Sequence, residues 1–149
     1  MLTAQEIMTR QVHTVTPETA VEELAQTFLR TGVSALPVID GAGKLIGVVT
    51  ETDLIEQNKP LHIPTVIALF DWVLYLESEK EFQAEVSRIS ARKVGEICSR
   101  ELVTCAPDTS VGDIARLMSE KKVHLVPVVD GERLVGVVAR LDLIRTMGR

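Results

Sequence analysis

With 149 residues, 46% of them hydrophobic, the chain has the length and apolar content of one compact domain with a continuous core. Its formal net charge of −5 at pH 7 leaves no broad phosphate-neutralising surface, so DNA and RNA are not expected partners. The longest apolar stretch, Ile63 to Leu76, is broken by Pro64, Thr65 and Asp71 and falls short of the ~20 residues a membrane-spanning helix needs, so no membrane span is expected.

The first six residues, Met1 to Glu6, carry no basic segment followed by an apolar run, and without a secretory signal a cytoplasmic location is expected. From there the chain repeats itself. Ile7 to Ile55 matches Ile97 to Ile144, first at an offset of 90 (97 minus 7) and then at 89 (142 minus 53), one residue being lost in the first hairpin turn. Thr14, Pro17, Thr19, Val21 and Ala25 answer to Thr104, Pro107, Thr109, Val111 and Ala115. The later halves agree better: Val33, Pro37, Val38, Asp40 and Gly41 recur as Val123, Pro127, Val128, Asp130 and Gly131. Gly47, Val48, Val49, Asp53, Leu54 and Ile55 recur as Gly136, Val137, Val138, Asp142, Leu143 and Ile144.

Each copy has a physical reading. Thr19 and Glu22 have the spacing of a capping box, and Val21, Leu24, Ala25 and Phe28 form a helical apolar stripe that Gly32 is placed to end. Val111, Ile114, Ala115 and Met118 repeat the stripe. Next come two short β-branched runs joined by Asp-Gly turn chemistry: Ala35 to Ile39 with Leu45 to Val49, and Leu125 to Val129 with Leu134 to Val138. Pro37 and Pro127 lack an N–H within strand-like runs, which places those strands at sheet edges. A last short helix opens near Thr50 in one copy and near Ala139 in the other. The expected fold is α+β, two pseudo-symmetric β-α-β-β-α units packed sheet to sheet, because a unit of ~50 residues is marginal by itself.

Between the copies, Leu61 to Ile89 departs from both, and four of the five aromatic residues, Phe70, Trp72, Tyr75 and Phe82, fall there. Pro64 suits the first turn of a helix to about Leu76, and Glu79 to Ile89 reads as a second, so a helical hairpin is expected. It either covers a surface of its own chain or forms the interface of a homodimer. Segments 1–58, 59–92 and 93–149 are thus repeat 1, insertion and repeat 2.

The run Val33 to Asp40, and Gly47 to Leu54 with its Thr-x-x-Asp, resemble the cystathionine-beta-synthase (CBS) domain family, and a tandem pair of this kind resembles a Bateman module. The resemblance implies two clefts between the repeats, each drawing on both copies and each taking an adenosyl ligand such as AMP, ADP, ATP or S-adenosylmethionine. It implies that Asp53 holds the ribose and Thr50 faces the phosphate, with Val123, His124 and the segment Ile97 to Leu102 enclosing the base. The other cleft would use Asp142 with Val33, Ser34 and the segment Ile7 to Val12.

The chemistry agrees, since a carboxylate accepts from a vicinal diol and a hydroxyl beside helix-start N–H groups suits a phosphate. Thr50 and Asp53 equally fit a helix cap. Ala139 cannot cap through its side chain, and phosphate binding beside it would rely on backbone N–H groups and Arg140, which is alternatively a solvated charge. His124 reads either as a polar residue bonded to the backbone or as a ligand contact. Cys98 and Cys105 form neither a CxxC pair nor a zinc cluster and receive no role. No metal site and no catalytic residue is expected, and no cofactor beyond the regulatory nucleotide. The expected function is a sensor that signals to a separate effector protein. The competing readings are a scaffold with vestigial clefts and a small nucleotide hydrolase, the latter opposed by the lack of a GxxxxGK[ST] loop.

Overall fold

The computed structural model describes residues 1–56 and 92–148, so the expected helical hairpin and its aromatic cluster lie outside the described residues. In chain order the elements are α1 (Ala4–Ile7), α2 (Val21–Thr31), β1 (Ala35–Ile39), β2 (Leu45–Thr50) and α3 (Glu51–Glu56). The second copy follows with α4 (Val94–Ile97), α5 (Val111–Lys121), β3 (Leu125–Asp130), β4 (Arg133–Ala139) and α6 (Arg140–Met147).

The stripes bury as their spacing requires. Val21, Leu24 and Phe28 of α2 and Ile114 and Met118 of α5 are inside. The start of α2 differs from the expected capping box. Thr19 Oγ1 accepts from Thr16 N at 3.1 Å, committing that side chain to the preceding turn, and Ala20 becomes the N-cap with no side-chain bond. In the second copy Ser110 caps α5 by accepting from Asp113 N at 3.2 Å.

β1 pairs antiparallel with β2 and β3 with β4, each with a register shift near the end of its first strand. The first strand of each expected unit is a single parallel bridge, Val15 to Val38 and Cys105 to Val128. Each hairpin is a two-stranded sheet, so β1 and β3 lie at edges as expected, each with one parallel bridge on its outer side. Val15 N donates to Pro37 O (3.1 Å) and Ile39 N to Val15 O (2.9 Å), and Cys105 N donates likewise to Pro127 O (3.0 Å). A residue's N–H and C=O lie on the same side of a strand, so each proline's missing donor faces the short parallel partner, where the ladder stops after one bridge.

The short leading helices change places. α1 follows 107–111 of the second copy, with Ala4 N donating to Thr109 O (2.8 Å) and Val111 N to Leu2 O (3.0 Å). α4 does the same on the first copy, with Val94 N donating to Thr19 O (2.8 Å) and Val21 N to Arg92 O (2.9 Å). One core cluster joins Ala4 to Ile114, Met118, Val126, Val128, Val138 and Leu143. The other joins Val94 to Leu24, Phe28, Leu36, Val38 and Val49. Each small core is thus completed by a helix from the opposite copy, which removes the marginality of a ~50-residue unit.

Beyond each leading helix the chain pairs once with the far edge of a hairpin, Thr9 with Val137 and Ser99 with Val48. The crossing is close. A Cβ at Gly47 would lie 2.4 Å from Ser99 O, and one at Gly136 would lie 2.4 Å from Met8 Sδ. Glycine is the residue that admits both contacts.

Candidate functional site

Two clefts lie between the copies. The first, about 500 Å³, is walled by Thr50, Glu51, Ser99, Val123, His124 and Arg140 among others. The second, about 520 Å³, is walled by Thr9, Val12, Val33, Ser34, Ala139 and Asp142 among others. Both volumes fall within the ~300–1,000 Å³ range of small-ligand sites. Strand periodicity explains the walls. Leu45, Gly47 and Val49 of β2 are buried, which turns Val48 and Thr50 to the opposite face and into the first cleft.

Thr50 and Asp53 satisfy each other. Thr50 N donates to Asp53 Oδ2 at 2.9 Å, and Asp53 N donates to Thr50 Oγ1 at 3.1 Å, a reciprocal cap at the start of α3. Capping does not exhaust either group. The hydroxyl accepts through a lone pair and keeps its own proton to donate, and Asp53 Oδ1 has no partner among the described residues. Thr50 stands on the cleft wall; Asp53, half-buried behind it, does not.

Asp142 is the opposite case. It is 5% exposed and on the wall of the second cleft. Its Oδ2 accepts from Ala139 N at 2.8 Å, while Oδ1 accepts from Arg145 at 3.1 Å and from Thr9 Oγ1 at 3.3 Å. The acid half of the helix-start device survives where Ala139 has replaced the hydroxyl. Thr9, brought in by the exchanged leading segment, orients the carboxylate from the other copy.

The structure gathers Thr50, Val123 and His124 with Ser99 and Glu101 in the first cleft, and Asp142, Val33 and Ser34 with Thr9 and Val12 in the second. Two features were not legible in sequence. Five residues, Ser34, Ala35, His124, Leu125 and Arg140, wall both clefts, so the sites adjoin. Lys122 joins the first wall. The repeat alignment places Arg140 beside Ala139 alone, because it locates a residue along the chain and not across the two clefts.

The thiols stand apart from chemistry. Burial, helped by the nearby Asp53 carboxylate and opposed by Arg100, raises the Cys98 thiol pKa, and burial pushes Cys105 up to about 11. Both are thiols rather than thiolates near neutral pH, the form that is a poor nucleophile and metal ligand. Among the described residues no group of three or more His, Cys, Asp or Glu side chains is placed to hold a metal, and no helix is long and apolar enough to cross a membrane.

The CBS-domain family model matches residues 4–59 and 94–149, the same two halves that the internal repeat marks out. The chain belongs to the CBS-domain family. MJ1426 of Methanocaldococcus jannaschii is 29% identical to this CBS pair over 133 residues, covering 84% of this chain and 79% of that protein. The chloroplastic CBS domain-containing protein CBSX2 of Arabidopsis thaliana is 29% identical over 145 residues, covering 91% of this chain and 58% of the relative. The chain therefore spans little more than half of CBSX2. A crystal structure of CBSX2 in complex with AMP aligns with a TM-score of 0.75 at 27% identity, covering 99% of this chain and 96% of that one.

Proposed function

We propose that this CBS pair is a regulatory module that senses an adenosine-containing nucleotide in the clefts between its repeats and passes the signal to a separate partner protein. The observation that carries this reading is the construction of each cleft from both copies, with a helix start on each wall: Thr50 in the first and Asp142 in the second, and Arg140 on both. The AMP complex of CBSX2, similar over nearly the whole chain, supports adenosyl chemistry.

In the first cleft Thr50 donates its free proton to the ligand phosphate, Val123 and His124 flank the base, and Asp53, behind the wall, holds the helix start at Thr50 in place. In the second, Asp142 meets the ribose, Val33 and Ser34 face the base, and Arg140 serves the phosphate. A ligand bridging the two copies favours the arrangement it bridges, and that differential affinity is all a sensor needs. No reaction on the ligand is part of this proposal. AMP, ADP, ATP and S-adenosylmethionine are the candidates, and the proposed setting is the cytoplasm.

We also propose a homodimer. Among the described residues Ile55 on α3 and Leu141, Ile144 and Met147 on α6 are 72%, 62%, 56% and 76% exposed, apolar surface that a second copy could cover. Light scattering tests it, and a monomeric mass at micromolar concentration refutes it.

A thermal-shift screen over the four candidates tests the sensor. A ligand at 100 times its dissociation constant adds ~2.7 kcal/mol, and AMP is expected to raise the melting temperature. If none does so, the alternative of a scaffold with vestigial clefts takes its place.

A further inference from the structure

The two copies end their long helices in the same left-handed conformation with different residues. Gly32 closes α2 at φ 72°, and Lys122 closes α5 at φ 56° and ψ 44°. Lys122 is the one described residue other than glycine with a positive φ. Glycine adopts this region freely, whereas a side chain adds a steric penalty, and the first copy shows that glycine suffices for the turn.

The two positions face different clefts. Gly32 stands on the wall of the second, where it contributes no charge, and Lys122 stands on the wall of the first with Thr50 and Arg140. The Lys122 ammonium makes no ion pair or hydrogen bond among the described residues. Glu51 and Glu101 share that wall, so an anionic ligand entering there needs cations to offset two carboxylates.

We infer that Lys122 is a specificity-determining residue of the first cleft, held in a strained conformation so that its ammonium selects adenosyl ligands with an anionic 5′ group over uncharged ones. This rests on the adenosyl reading of the clefts. A residue kept for its charge at a conformational cost has a signature that a merely tolerated one lacks: its replacement by glycine stabilises the fold and weakens the ligand.

The test uses Lys122→Gly and the length-preserving, uncharged Lys122→Met in the full chain, melted without ligand and titrated calorimetrically with adenosine, AMP and ATP. Lys122→Gly should melt higher than the wild type. Both variants should keep adenosine affinity, weaken AMP several-fold and weaken ATP ten-fold or more, while Lys122→Arg should retain most of the wild-type preference. AMP and ATP affinities unchanged in Lys122→Gly and Lys122→Met overturn the role while leaving the clefts as adenosyl sites. A wild-type protein that binds none of the three ligands overturns the cleft reading and this role with it.

Discussion

Gly47→Ala should destabilise the protein more than Gly136→Ala, although the two glycines are counterparts in the repeat. The new Cβ at 47 would stand 2.4 Å from Ser99 O and 3.3 Å from Cys98 Sγ. The offending atom is backbone, so the crossing segment must retreat. Doing so breaks the reciprocal bonds Val48 N to Ser99 O (3.0 Å) and Ser99 N to Val48 O (2.9 Å). At roughly 1 kcal/mol each, their loss is worth about 2 kcal/mol. At 136 the Cβ meets Met8 Sδ at 2.4 Å and Cγ at 2.9 Å, the flexible end of a side chain, with Thr9 O at 3.1 Å. Methionine can swing aside, which leaves a cost of about 1 kcal/mol or less. For a chain of this size 1 kcal/mol moves the melting temperature by roughly 2–4 °C, so thermal denaturation should show a fall of about 6 °C for Gly47→Ala and about half that or less for Gly136→Ala. Val48 and Ser99 both wall the first cleft, so AMP affinity there should fall with stability in Gly47→Ala. Equal losses, or a larger loss at 136, would refute the distinction between backbone and side-chain contacts.

Asp142→Ala should cost more stability than Asp53→Ala, by about 1–3 kcal/mol in denaturant titration, because Asp142 is buried with partners on Ala139, Arg145 and Thr9. Asp53→Ala should instead lower AMP affinity in calorimetry, through the helix start at Thr50 that it holds in place. The Cys105 thiol stays protonated in the folded protein up to about 11 against an ordinary value of 9.0. The unfolded chain ionises first, so the contribution of this thiol to stability should be constant below pH 9 and fall, by on the order of 2 kcal/mol, as pH rises from 9 towards 11. Cys105→Val should make that fall smaller, leaving the part due to the Cys98 thiol, which burial also raises. Arg140 walls both clefts and can face one phosphate at a time, so AMP in one cleft should weaken AMP in the other, and Arg140→Ala should remove this negative coupling.

The repeat, the helical stripes and the two hairpins were legible because each rests on local periodicity and turn chemistry. The exchange of α1 and α4 was not, since it is made by backbone bonds such as Ala4 N to Thr109 O that leave no residue-type signal. Thr19 shows the limit of a spacing rule: the hydroxyl that fits a cap for α2 serves the turn at Thr16 instead. Pro37 marks β1 as an edge strand, but the single parallel bridge to Val15 on that edge has no counterpart in residue type. For the site, the helix-start acids and Thr50 could be found from the Thr-x-x-Asp pattern. That Asp53 sits behind the wall, and that Arg140 and His124 are common to both clefts, depends on how two copies meet in space.

The most direct test of the account is a calorimetric titration of AMP into the full chain. The account predicts saturable binding at two unequal sites, with Thr50→Ala weakening the first cleft by ten-fold or more, because a charged hydrogen bond of roughly 1.5–3 kcal/mol is lost. A wild-type chain that takes up neither AMP nor S-adenosylmethionine, or equal affinity at both sites with no response to Thr50→Ala, would contradict it.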